Sequence, residues 1–128
     1  MREILEHAVQ RLGDAYSKLK HGVDTAKDEL GKDGVIQRFE FTFELLWKTL
    51  KIFLEYEGID VKSPRESLKE ASRVGFIEDE ETCLDMLEDR NLTSHIYDEK
   101  LSDEIYKRIK SRYVQFTEKV LRTLKDKL

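Results

Sequence analysis

Apolar side chains return along most of this chain at steps of three and four residues, the period of a helix buried along one face. Up to Leu30 the recurring positions are Leu5, Ala8, Leu12, Ala15, Tyr16, Leu19, Val23, Ala26 and Leu30. Gly13 and Gly22 lie inside this run and weaken it locally. The stretch Gly31-Lys32-Asp33-Gly34 reads as a break between helices. From Val35 to about Tyr56 the large apolar groups are densest: Ile36, Phe39, Phe43, Leu46, Leu50 and Phe53 form one stripe. Phe41, Leu45 and Ile52 lie off that stripe and Trp47 near its edge. A helix apolar over more than one face is either central in its own fold or shared with a partner.

Gly58 suits a helix stop. Ser63-Pro64-Arg65-Glu66 is a helix start: Ser as N-cap, Pro at the first helical position, Glu three residues after the cap. The short helix that it opens is expected to end at Gly75. Glu78-Asp79-Glu80-Glu81 then places acid at the next helix N-terminus, where the macrodipole favours it. That helix turns Cys83, Leu84, Met86 and Leu87 inward. The last helix is expected to begin near Ser102, with Ile105, Ile109, Tyr113, Phe116, Val120 and Leu124 as its stripe. These pieces predict an all-α fold: an up-and-down bundle of four main helices plus one short helix, in a single domain over residues 1–128.

Composition agrees with the pattern. A chain of 128 residues with one Pro and one Asn is short of the turn formers that an all-β fold needs. A single cysteine, Cys83, excludes an internal disulfide and a cysteine-based metal site, and it is read as a small buried apolar residue. No metal ligand set and no cofactor motif stands out. No apolar run approaches the ~20 residues that would cross a membrane, and the mixed N-terminus is unlike a signal peptide. A soluble cytoplasmic protein is expected. The net charge of −4 is a mild point against general nucleic-acid binding. That total hides an uneven distribution: Phe76–Lys100 carries −7 and Leu101 onward carries +4. An acidic helix followed by a basic one suits antiparallel neighbours, although a basic face aimed at phosphate would look the same. His7 and His21 are read as surface residues.

Packing does not explain Asp89–Glu99, which concentrates hydrogen-bonding groups: Arg90, Asn91, Thr93, Ser94, His95 and Tyr97. In a continuous helix Arg90 and His95, five positions apart, would face directions about 140° apart. Thr93 and Ser94 favour helix ends. If the helix stops there, Arg90 sits on the last turn and His95 can fold back toward it. His exchanges protons near neutral pH. Arg offers a bidentate fork for phosphate and for charge that accumulates on a phosphorane. Together, without metal ligands, they suit RNA cleavage with the ribose 2′-hydroxyl as internal nucleophile. A general base and a general acid are both wanted, and a two-fold dimer would supply two His and two Arg. The alternative is a His bonded to a helix-end carbonyl and an Arg paired with Asp89 or Glu88.

Arg90-Asn91-Leu92-Thr93-Ser94-His95-Ile96-Tyr97 resembles the R-x(4)-H-x-Y motif of the HEPN superfamily of small helical bundles. With Gln37–Lys51, Ser63-Pro64-Arg65 and Met86–His95, the chain is similar over nearly its whole length to the nucleotidyltransferase substrate-binding protein family. The resemblance implies a homodimer encoded beside a cognate minimal nucleotidyltransferase. It further implies either a metal-independent RNase toxin or a non-catalytic substrate-binding subunit. In the toxin case Arg90 and His95 are catalytic, with Asn91 and Ser94 supporting. Tyr97 is then the hydroxyl to which the partner transfers AMP, and RNA is the substrate. The transferase itself is excluded on the residues alone, since the chain has no Gly-Ser dipeptide and no Asp-x-Asp pair.

Overall fold

The computed structural model describes residues 1–94 and 98–128; His95 and Tyr97, two of the expected site residues, lie outside them together with Ile96. The described residues form α1 (Arg2–Thr25), α2 (Glu29–Tyr56), α3 (Pro64–Arg73), α4 (Glu80–Thr93), α5 (Glu99–Arg108), a π turn (Ile109–Tyr113) and α6 (Val114–Asp126). The α5 segment, the π turn and α6 continue without interruption, so by direction there are four long helices and the short α3.

Side-chain contacts give the order of the bundle. Arg38 and Thr42 of α2 reach the carbonyls of Lys18 and Ala15 of α1, so those helices are antiparallel. Glu40 and Glu44 meet Thr93 and Arg90 of α4, again in opposite order. Asp89 and Asp85 of α4 pair with Arg108 and Arg112 in descending order. The α2 residues Lys32 and Phe39 instead meet Tyr106 and Tyr113 in ascending order, so α2 and the last helix run parallel across the bundle. The bundle closes where Tyr16 of α1 donates to Glu118 of α6 at 3.0 Å. The predicted up-and-down architecture is what the contacts describe.

The expected stripes of α2 and the last helix are buried. Phe39, Phe43, Leu46, Leu50 and Phe53 of α2 meet Ile105, Ile109, Tyr113, Phe116, Val120 and Leu124 in one core. Burying side chains of this size stabilises by roughly 1.5–3 kcal/mol each. Leu45 and Ile52 are partly buried against that core, while Phe41 is 56% exposed. Cys83 is buried, and that burial pushes its thiol up to about 12. His7 and His21 are exposed, as expected.

Three boundaries differ from expectation. The first helix ends at Thr25, not near Leu30, and the break is Ala26–Asp28 rather than Gly31–Gly34. Ala26 is extended and ends α1; Asp28 caps α2 by accepting from the Gly31 N–H at 2.8 Å. Gly31 serves close approach instead of breakage, because a Cβ there would sit 3.2 Å from the Ala26 backbone. Leu30, counted as the end of the first stripe, is 80% exposed on α2. The last helix starts at Glu99, not near Ser102, because Asp98 caps it through the Lys100 N–H at 2.9 Å. Leu84 is only partly inward. The α3 start is as read: the Ser63 Oγ accepts from Glu66 N–H at 3.1 Å, while the Glu66 carboxylate reaches back to Lys62 N–H at 3.0 Å. Gly58 and Gly75 end α2 and α3 with φ of 83° and 91°, a backbone that side-chain-bearing residues resist.

Candidate functional site at the end of the fourth helix

The fourth helix opens on Asp79, whose carboxylate accepts from the Thr82 N–H at 3.0 Å and its hydroxyl at 2.6 Å. It closes at Thr93 with Ser94 as C-cap, so the helix stops where the weak helix formers begin. Arg90 therefore occupies the last turn, as the sequence suggested. Its side chain is about 25% exposed and faces α2. Nη1 donates to Ser94 Oγ at 3.1 Å and lies 3.8 Å from Glu40 Oε2. Nε lies 3.5 Å from Glu44 Oε1 but is buried without a hydrogen-bond partner among the described residues. Both carboxylates thus attract the guanidinium without being bonded to it.

The two acids are held from other sides. Thr93 Oγ1 lies 3.0 Å from Glu40 Oε2, and the Trp47 indole N–H donates to Glu44 Oε2 at 3.2 Å. Lys48 approaches Glu44 at 4.0 Å. Asn91 is exposed, as is Ser94 apart from its bond to Arg90. Of the expected site residues the structure thus brings Arg90 and Ser94 together and leaves Asn91 on the surface. It adds Glu40 and Glu44, which pattern reading passed over as polar positions of a core helix. Their signal was there: two acids one turn apart on a helix otherwise dense in apolar groups. The suggested pairing of Arg90 with Asp89 or Glu88 does not occur.

Asp89 has other partners. It is buried, 4% exposed, and Arg108 grips it with both arms of its fork: Nε to Oδ2 at 2.7 Å and Nη2 to Oδ1 at 2.9 Å. The Tyr113 hydroxyl donates to Oδ2 at 2.5 Å. Hydrogen bonding to Asp89 holds the Arg108 pKa well above its ordinary value; burial and then the same carboxylate do so for the Tyr113 phenol. One turn earlier, Arg112 bonds Asp85 at 2.9 Å and Thr82 at 3.1 Å. The contrast of acidic α4 with the basic last helix thus includes two cross-helix ion pairs. Lys107, Lys110 and Lys119 remain exposed.

Among the described residues no His, Cys, Asp and Glu cluster could hold a metal ion. No described helix is long and apolar enough to cross a membrane.

Known proteins bear on this site. A profile described as "nucleotidyltransferase substrate binding protein like" matches residues 3–126. A Haemophilus influenzae protein named probable ribonuclease HepT is 35% identical over 81 residues, 59% of this chain and 56% of that protein. The alignment thus spans little more than half of that relative's length. A crystal structure from Thermus thermophilus superposes with a TM-score of 0.82 at 36% identity, covering 88% of this chain and 98% of that one. HI0074 of Haemophilus influenzae superposes with a TM-score of 0.70 at 26% identity, covering 96% and 98%. That protein is described as revealing the fold of a substrate-binding domain of a nucleotidyltransferase. With the profile spanning almost its whole length and the bundle shared with these structures, the chain belongs to the nucleotidyltransferase substrate-binding protein family.

Proposed function

We propose that this chain works with a separate minimal nucleotidyltransferase and is itself a metal-independent ribonuclease toxin, active as a cytoplasmic homodimer. Arg90 and His95 are its catalytic residues, Asn91 and Ser94 support them, and Tyr97 accepts AMP from the partner. The placement of Arg90 carries the proposal: a part-exposed guanidinium on the last turn of α4, attracted but not bonded by Glu40 and Glu44 and five residues before His95. An arginine needed only to tie α4 to α2 would gain more from direct hydrogen bonds, as Arg108 does with Asp89. Membership of the family and the HepT relative support the same reading.

In this reaction the ribose 2′-oxygen attacks the adjacent phosphorus and the 5′-oxygen leaves, giving a 2′,3′-cyclic phosphate. One His takes the 2′-hydroxyl proton, and the second His of a dimer gives a proton to the leaving oxygen. Arg90 pairs with the phosphate oxygens as charge grows on them. For silencing, the Tyr97 hydroxyl oxygen attacks the α-phosphorus of a nucleoside triphosphate held by the partner; pyrophosphate leaves and the phenolic proton is lost. The added phosphate then puts bulk and negative charge where RNA phosphate would bind.

The second reading is a non-catalytic subunit that presents substrate to the transferase. The description of HI0074 and the family's own name favour it. Cleavage of RNA in EDTA by wild-type protein, and its loss in folded His95→Ala, is the result expected of the ribonuclease. Equal rates for the two proteins would end that assignment. Intact mass after co-expression with the transferase tests the AMP transfer: one adenylyl unit or more on Tyr97 is expected. Unmodified protein in a stable complex would favour the subunit reading.

A further inference from the structure

Asp89 takes no part in the chemistry just proposed, yet it is bonded on both oxygens. We propose that Asp89, Arg108 and Tyr113 form a positioning brace that sets the place of Arg90 at the end of α4. The inference rests on the ribonuclease reading of Arg90 and His95.

A helix end carries unpaired carbonyls and opens readily, so a functional group on its last turn needs support from elsewhere. Asp89 immediately precedes Arg90, and its three short bonds anchor that turn to the last helix. The anchor reaches α2 as well. The Tyr113 ring stacks on Phe39 with centroids 5.5 Å apart and planes 18° from parallel. Phe39 immediately precedes Glu40. Two consecutive pairs therefore face each other across the bundle. The inner residues, Phe39 and Asp89, are joined through Tyr113; the outer residues, Glu40 and Arg90, face each other directly. The inner joint fixes the separation of α2 and α4 at the level where Arg90 meets its carboxylates.

The π turn makes the joint possible. Residues 108 and 113 are five apart, which in a regular helix would turn them about 140° from each other. Between Ile109 and Tyr113 the helix widens, and the Val114 N–H bonds the Ile109 carbonyl five residues back. Arg108 and Tyr113 thereby reach the same carboxylate. Local π turns recur where side chains must be placed for function.

Tyr113→Phe, which removes one oxygen, and Asp89→Asn, of equal size, test the brace beside a control. The control is Asp85→Asn, which loses the more exposed ion pair with Arg112 on the same two helices, one turn before Asp89. Two readouts are taken well below each variant's melting temperature: steady-state cleavage of RNA, and the Arg90 Nε–H resonance by NMR. Both brace variants are expected to lower kcat about ten- to a hundredfold, the sensitivity of catalysis to ~1 Å displacements, with KM little changed. They are expected to shift or broaden the Arg90 resonance, and Asp85→Asn to leave kcat within about twofold. The brace is refuted by an unmoved Arg90 resonance in Asp89→Asn, or by an equal loss of kcat in Asp85→Asn. Should wild-type protein fail to cleave RNA, the ribonuclease reading falls, and the Arg90 resonance still decides the brace.

Discussion

Asp89 and Arg90 are consecutive residues of one helical turn, and their surroundings differ in kind. Asp89 is buried and fully bonded, and its charge is matched by a two-pronged Arg108. Arg90 faces two carboxylates that stand 3.5 and 3.8 Å away, and it makes its side-chain hydrogen bond to the small hydroxyl of Ser94. A buried charge survives only with such complete pairing, and it holds structure in place. A part-exposed guanidinium with acids at ion-pair distance keeps its capacity for another anion. Adjacent residues in sequence thus differ in engagement: one is bonded on every side, and the other is only loosely held.

The largest expected effect comes from breaking the tied member. Asp89→Ala leaves Arg108 and the buried Tyr113 hydroxyl without their acceptor. The loss is expected to be about 3 kcal/mol, the low end for a broken buried pair because Arg108 keeps a third of its surface in water. Urea denaturation measures it; a loss below about 1 kcal/mol would place Asp89 with ordinary surface ion pairs. Tyr113→Phe is milder, about 1.5 kcal/mol, the low end for a hydrogen bond to a charged group because Arg108 still pairs the carboxylate. It has a pH signature as well. The phenol pKa is raised in the folded state, so its contribution is complete below the unfolded value near 10 and is lost as pH rises above it. The wild type should therefore lose stability more steeply than Tyr113→Phe above about pH 10. Cys83, raised for the same reason of burial, adds an alkaline loss common to both proteins. The smallest stability effect is expected for Glu40→Gln, within about 0.5 kcal/mol, because Arg90 is only loosely engaged and the Gln oxygen can still accept from Thr93. An uncleavable 2′-deoxy oligonucleotide should nevertheless bind it a few-fold more tightly than wild type, by about 0.5–1 kcal/mol, since one competing charge is gone. Fluorescence anisotropy reads this, and unchanged or weaker binding would mean that Arg90 is not the anion-facing group.

Sequence pattern alone was enough for the fold because each long helix writes its buried face as a three-and-four repeat. Phe39, Phe43, Ile109 and Tyr113 all fall where that repeat puts them. The Ser63 cap and the Gly58 and Gly75 stops were legible for the same local reason. The turn at Ala26–Asp28 was not: Gly31 and Gly34 signal breakage in general, whereas here an Asp just upstream of the glycines supplies the cap and Gly31 supplies room. The motif residues were legible as a group, but their partners were not. Glu40 and Glu44 lie some fifty residues away in the chain, and nothing local says that they face Arg90. Pairing across a bundle depends on helix rotation, which a stripe fixes only to within a neighbouring residue or so. The π turn left no mark of its own, since the four-residue spacing of Ile105, Ile109 and Tyr113 recurs in Phe116, Val120 and Leu124 on regular helix.

The π turn also bears on how this chain can change length. Losing one residue from the middle of a regular helix swings every later side chain by about 100°, which a packed bundle does not survive. Between Ile109 and Tyr113 the helix already carries a wider turn. Removing the exposed Ser111 would let that turn tighten to the regular form, with α6 keeping its buried face and Arg108 four places from the tyrosine. Among the long helices this is the site where a one-residue deletion can be absorbed without moving the core.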